Sequence, residues 1–254
     1  MAARDEIIAF CDELLDAQAF EDYGPNGLQV PGSPDVSSVV TGVTANRELL
    51  ERARDAGAGL VLVHHGLFFG DQLAGGLSEP LAERLRVALC ERLSVAAYHL
   101  PLDAHREVGN NALLCAALGL EAEEQPFAAF KGRPIGLVGR SADPIAAGDL
   151  VARIAAAVGR DPLVFDAGPP EVRTVGIVTG GGSRALAEAA ALGLDAFVTG
   201  EPSEHVMGDA REAGIHFIAA GHYATETLGV ERLGSLVAER FGVEHEFIDI
   251  PNPI

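Results

Sequence analysis

Two stretches of this 254-residue chain follow one plan. Ala96-Ala97-Tyr98-His99-Leu100-Pro101-Leu102-Asp103 and Ala219-Ala220-Gly221-His222-Tyr223-Ala224-Thr225-Glu226 each run from an apolar strand to a histidine, then three residues, then an acid. A shift of about 123 positions aligns Ala97 with Ala220, His99 with His222 and Asp103 with Glu226. Upstream, a shift of about 136 aligns Leu50 with Leu186, Ala53 with Ala189, Gly57 with Gly193 and Leu62 with Val198. His64-His65 then falls on Gly200-Glu201, and an insertion between His65 and Leu81 accounts for the change of shift. A repeated βαβαβ unit is the economical reading. It predicts an α/β fold of two similar lobes, residues 1–124 and 125–254, with ligands held in a cleft where strand ends converge.

Apolar runs and helix stops support that class. Val39 to Val43, Gly59 to Val63 and Ser94 to Tyr98 read as strands in the first lobe, alternating with helices over Glu48 to Ala56 and Leu81 to Leu93. In the second lobe Val172 to Thr179, Ala196 to Val198 and Ile215 to Ala220 read as strands, and Ala147 to Val158, Ala185 to Leu192 and Leu228 to Phe241 as helices. The N-terminal stretch reads as an amphipathic helix carrying Ile7, Ile8, Cys11, Leu14 and Leu15 on one face. Its acids argue against a secretory signal. No apolar run reaches the roughly 20 residues of a membrane span. Cys11, Cys90 and Cys115 show no paired spacing, so buried thiols and a cytoplasmic setting are expected. The formal charge of −19 includes a single lysine, Lys131. Such a surface repels phosphate backbones, which disfavours nucleic acid as a partner.

The chemistry concentrates at the strand ends. Neighbouring side chains of a strand point to opposite faces, so His64 and His65 share a site only if the strand has ended there; Gly66 permits a turn. Asp103 offers oxygen, and His222 and Glu226 share a face if their segment is helical. A Glu can bridge two ions. Imidazole and carboxylate without thiolate suit zinc, manganese, iron or nickel, and there are enough donors for two divalent ions. Each donor also has an ordinary reading: a structural histidine, a cap at Asp103, a surface glutamate at Glu226. The two matched copies of the pattern favour the metal. His99 reads as a group orienting Asp103 or substrate, and Glu201 as a general base. His105, His216 and His245 have no supporting pattern. Thr179-Gly180-Gly181-Gly182-Ser183 reads as a tight turn rather than an anion cradle, and Tyr23 to Leu28 as turn chemistry.

Taken in order, Asp22-Tyr23-Gly24-Pro25-Asn26-Gly27-Leu28-Gln29-Val30, Val63-His64-His65-Gly66, Tyr98 to His105, Gly109-Asn110-Asn111, Thr199-Gly200-Glu201, Gly221 to Glu226 and Ile248 to Pro253 resemble the YbgI-type branch of the NIF-three-like dinuclear-metal family. Many of its members are called GTP cyclohydrolase I type II homologues. The resemblance implies two α/β lobes with a di-metal centre between them, and a ring-shaped homohexamer built as a trimer of dimers. It implies one ion on His65 and Asp103, the other on His64 and His222, and Glu226 bridging both. Some relatives carry Trp and an acid after the paired histidines, where this chain has Phe69 and Gln72. The implied activity is metal-dependent hydrolysis of a nucleotide or related small molecule, with GTP ring opening and loss of C8 as formate suggested by the family label. The alternative is a non-catalytic metal-binding ring acting as carrier, chaperone or regulatory scaffold.

Overall fold

Leu60 to His64 are all buried, as a strand covered on both faces must be. That strand sits third in an alternation of strand and helix. The computed structural model describes residues 1–70 and 75–254. In chain order the elements begin β1 (Ala2–Ala3), α1 (Arg4–Leu14), β2 (Gly27–Val30), β3 (Asp35–Val36), β4 (Ser38–Thr44), α2 (Arg47–Asp55), β5 (Leu60–His65), α3 (Glu79–Cys90), β6 (Ser94–Ala97) and α4 (Leu100–Ala104). They continue α5 (Asn110–Ala117), β7 (Glu121–Ala122), β8 (Phe127–Phe130), β9 (Arg133–Ala146), α6 (Ala147–Val158), β10 (Leu163–Phe165), β11 (Glu171–Val178) and α7 (Leu186–Ala191). The last are β12 (Ala196–Thr199), α8 (Val206–Ala213), β13 (His216–Ala219), α9 (His222–Thr225), α10 (Thr227–Phe241) and β14 (Glu244–Phe247). The fold is mixed α/β.

The chain forms two compact units, Met1–Leu102 with Gly229–Pro251, and Asp103–Leu228 with Asn252–Ile254. These outlines differ from the division at 124/125 read from the sequence. α5 joins the second unit because Leu114, Cys115 and Leu118 share a core with Leu137, Leu150 and Ile154. The C-terminal segment joins the first because β14 adds in parallel to the edge of β4.

In the first unit the sheet order is β14-β4-β5-β6-β2, all parallel except β2. One face packs Val40, Val61, Val63 and Val95 against Leu49, Leu50 and Ala53 of α2 and Leu81 and Ala88 of α3. Asn46 caps α2, its Oδ1 accepting from the Leu49 N–H at 2.8 Å. On the other face, α10 lies so close that a Cβ on Gly234 would stand 2.1 Å from His245 Nε2 and 2.5 Å from Thr41 Cγ2. Phe10 of α1 meets Phe241 of α10 edge-on, centroids 5.6 Å apart.

In the second unit the path is β10-β13-β12-β11-β9-β7, with β8 pairing β9. Alternation along β12 and β13 sorts the core. Ala196, Val198 and Ile218 face α5 and α6, and Phe197, Phe217 and Ala219 face α7 and α8.

The sheets share a local plan. β4, β5 and β6 run parallel with β2 antiparallel on the β6 edge; β11, β12 and β13 run parallel with β10 antiparallel on the β13 edge. The helix ends match as well. Gly57 N–H donates to Arg54 O and Ala58 N–H to Ala53 O, as Gly193 N–H does to Ala190 O and Leu194 N–H to Ala189 O. The register adds a detail that sequence alignment hid. Ser94 pairs with Leu60 and His216 with Ala196, yet His99 follows Ser94 by five positions while His222 follows His216 by six. The extra residue is Gly221, whose φ of 100° lies in the region that side chains avoid.

Gly234→Ala is expected to cost about 1–3 kcal/mol by overpacking, read as a lowered midpoint in chemical denaturation. Burial holds the His245 imidazole below its ordinary pKa. The same variant should let that pKa rise as the ring is pushed toward water, which an NMR titration would follow.

Candidate metal centre

In the first unit three imidazoles converge. β5 runs through both paired histidines, with His65 opposite Thr44. The strand therefore does not end before the pair, contrary to the sequence expectation. The rings converge all the same, at the strand's last two residues, with centroids 4.7 Å apart. His99, two residues beyond β6, brings its ring centroid to 4.9 Å from that of His64 and 5.5 Å from that of His65. Each of the three presents a ring nitrogen, all mutually within 4.8 Å.

Each ring is held through Nδ1. His64, fully buried, donates from Nδ1 to the Tyr98 carbonyl at 3.1 Å. His65 Nδ1 lies 3.1 Å from Thr44 Oγ1. His99 Nδ1 lies 2.7 Å from Asp22 Oδ1, and the Asp22 side chain is only 1% exposed. Such backing bonds fix ring orientation and engage Nδ1, so that Nε2 is the nitrogen that could meet a metal. Burial raises the Asp22 pKa, but hydrogen bonds from His99, Asn26 and the Tyr23 N–H, with the charge of His99, outweigh it and hold the carboxyl below its usual value.

The segment read from sequence as a mere turn builds this arrangement. Asp22 Oδ2 accepts from the Leu100 N–H and from Asn26 Nδ2, while Asn26 Oδ1 accepts from the His99 N–H at 2.9 Å. Gln29 reaches the loop after the paired histidines, its Oε1 accepting from the Leu67 N–H at 2.7 Å. The same amide fills the space a Cβ on Gly66 would need. Phe69 sets its ring edge-on to His65 and His99 at 5.9 and 5.1 Å. Gln72, compared with the acid of some relatives, lies outside the described residues.

The second unit holds a separate cluster of a histidine and two carboxylates. α9 and the start of α10 place His222 Nε2 3.3 Å from Glu226 Oε1, and Glu226 is 2% exposed. Glu201, just after β12, sets Oε1 3.3 Å from His222 Nδ1. Burial lowers the His222 pKa, yet the bonds and charges of Glu226 and Glu201 prevail and push it up to about 9. The glycine-rich turn makes room for this pair. Gly180 has φ 65°, and a Cβ there would fall 2.1 Å from Glu226 Oε1. Its N–H donates to Thr225 Oγ1 at 3.0 Å.

Asp103 is buried in the same unit. Its Oδ1 accepts from Asn110 Nδ2 at 2.8 Å and from Thr179 Oγ1 at 3.2 Å. Asn111 braces the site, donating to the Asp103 and Ile135 carbonyls and accepting from the Thr179 N–H. Thr179 and Gly180, adjacent in sequence, thus hold one acid and accommodate the other.

The histidines without a pattern have structural partners. His105 Nδ1 accepts from the N–H groups of Glu107 and Val108. His216 Nε2 donates to the Pro169 carbonyl, and His245 bonds Thr41. Cys11 and Cys115 are buried as expected, but Cys90, at the last turn of α3, is exposed. Sequence reasoning missed Asp22, Asn26, Gln29, Asn110 and Thr179 as the groups that hold the donors.

A histidine with a raised pKa stabilises the fold fully below its unfolded value near 6.5, and the contribution fades as pH climbs through the folded value. The metal-free chain should therefore show a His222 imidazole titrating near 9 by NMR. Glu226→Gln should move that midpoint down; an unchanged midpoint would contradict the pairing.

Residues 2–253 match the family described as Duf34/NIF3 (NGG1p interacting factor 3). A Pseudomonas aeruginosa protein named GTP cyclohydrolase 1 type 2 homolog is 46% identical over 253 residues, covering 99% of this chain and 98% of its own. An Escherichia coli K12 protein of the same name is 42% identical over 253 residues, covering 98% of each. Among solved structures, protein ybgI, described as of unknown function, superposes with a TM-score of 0.92 at 40% identity over 100% of both chains. TTHA1606 from Thermus thermophilus does so with a TM-score of 0.89 at 34% identity over 100% of both. With a match from end to end and relatives this similar, the chain belongs to the Duf34/NIF3 family.

Proposed function

We propose that this protein is a dinuclear divalent-metal hydrolase acting on a nucleotide or a related small molecule. The observation that carries the reading is the convergence of three imidazoles, each anchored through Nδ1, in the first unit. The donor chemistry fits: nitrogen and oxygen without thiolate suits zinc, manganese, iron or nickel. His65 and Asp103 would hold one ion, His64 and His222 the other, with Glu226 shared. When bound, a pair of such ions lowers the pKa of water and polarises the group under attack.

The protein's own residues do the rest. Asn110 and Thr179 fix the Asp103 carboxylate, and Gly180 leaves space for that of Glu226. Glu201, 42% exposed and beside His222, is our choice for the group that takes and returns a proton. The names of the relatives suggest purine ring opening with release of formate. Against an anionic nucleotide the net charge of −19 is unfavourable, so attraction has to come from the ions and from local arginines.

The test is metal content on protein purified without chelator, followed by a formate-release assay with GTP. About two ions per chain and metal-dependent formate are expected, and His65→Ala should abolish turnover. Turnover that persists after the metal is stripped would sink the hydrolase reading. Two ions without formate would keep the centre and discard GTP as substrate. We also propose the homohexameric ring, which predicts a native mass six times the 26.4 kDa of the chain; a monomer in native mass spectrometry would refute it.

A further inference from the structure

We infer that residues 252–254 form a strap that aims His222, with Arg160 as the positioning residue that fastens it. The inference takes His222 as the ligand proposed above and adds the groups that hold it in place. All the residues concerned lie in the second unit.

His222 opens α9, which is only four residues long. The first four N–H groups of a helix have no partner within it, so α9 depends on acceptors from elsewhere. Its N-cap, Gly221, has no side chain to offer one. The Tyr223 N–H, next in sequence to His222, donates to the Ile254 oxygen at 2.9 Å.

Arg160 fastens the strap from its other side. Its Nη1 donates to the Pro253 carbonyl. The same side chain lies against Gly221, where a Cβ would stand 2.9 Å from Arg160 Nη1 and 3.0 Å from its Cδ. Asn252 Oδ1 accepts from the Ile254 N–H at 3.0 Å and folds the strap on itself. Pro251 and Pro253 restrict the backbone, so ordering this segment costs less entropy than ordering an unrestricted loop.

The strap does not serve the core. Residues 252–254 are exposed, the apolar Ile254 by 60%. What they deliver is backbone oxygens, one to the N–H beside His222 and one to the arginine that packs on Gly221. The ring they aim stands with Nδ1 3.3 Å from Glu201 Oε1 and Nε2 3.3 Å from Glu226 Oε1. Contacts of that length are lost when the ring is displaced or turned by little, so the backbone of His222 has to be held. This gives the end of the Ile248 to Pro253 stretch a task that its sequence does not show.

The experiment compares wild type, a variant lacking residues 252–254, Arg160→Ala and Arg160→Lys, each checked for folding by circular dichroism. The readouts are the His222 Cε1–H signal in proton–carbon NMR spectra of the metal-free protein, and zinc affinity by competition with a chromophoric chelator. We expect the deletion and Arg160→Ala to shift and broaden the His222 signal and to weaken zinc binding about 10–100-fold, as loss of the groups behind a ligand does. Arg160→Lys, which keeps a donor for the Pro253 carbonyl, should restore both toward wild type. If the deletion does not fold, Arg160→Ala decides. An unmoved His222 signal in the folded variants would overturn this inference and leave the proposed function standing. A displaced signal with wild-type zinc affinity would uphold the strap and count against His222 as a ligand. A wild type that takes up no zinc would overturn the metal reading, and the His222 signal alone would then decide the strap.

Discussion

Parallel pairing of β5 with β6 decides where the imidazoles of the first unit fall. Val63 lies opposite Ala97, the last residue of β6, so the final two residues of β5 and the segment that follows β6 emerge side by side. His64 and His65 end one strand, and His99 follows the other after Tyr98. Ligands in open α/β sheets gather at this end because neighbouring strands deliver side chains there without a long loop. Remove the register, and three histidines scattered over 36 positions of sequence have no reason to meet.

Gathering polar groups at a buried edge carries a desolvation cost, and the structure meets it locally. His64 uses the Tyr98 carbonyl, His65 the Thr44 hydroxyl, His99 the Asp22 carboxylate, and Asp103 the Asn110 amide and the Thr179 hydroxyl. Every partner but Asn110, which opens α5, comes from a strand end or from the loop directly attached to one. Tyr98 shows how far the bracing extends. Its carbonyl serves His64 while its hydroxyl donates to Asp12 of α1 at 2.7 Å, tying the ring position to a helix. Rigid placement of side chains by such partners is what lets a site bind without reorganising.

Much of this was legible in the sequence, and the limit has a physical cause. Apolar runs, helix stops and the His-xxx-acid repeat gave the α/β class, most elements and the clusters His64-His65 and His222-Glu226, because those signals are local in sequence. The groups that brace the donors were not legible. Asp22 acts on His99 across 77 positions and Thr179 on Asp103 across 76. Nothing local distinguishes Asp22 or Asn26 from ordinary turn residues, since turns favour the same side chains for their own backbone bonds. The division into units was obscured for a similar reason: β14 returns to β4 over some 200 residues, and a strand carries no mark of its partner.

The shared plan of the two sheets explains why their donor sets differ. Position 64 of the first unit corresponds to Gly200 of the second, where a Cβ would stand 2.6 Å from the Gly180 carbonyl and from the Cα of His222. No histidine pair can form there. Position 44, a threonine that bonds His65, corresponds to Gly180, which is vacated for Glu226. The added residue Gly221 then carries His222 one step past the place His99 occupies on its own sheet. Glu201, at the position of His65, turns to His222 instead. One scaffold therefore presents three nitrogens, and the other a histidine between two carboxylates. The divergence follows from where each backbone closes: an open strand end accepts the paired imidazoles, while the turn at Gly180 leaves space for Glu226 and His222.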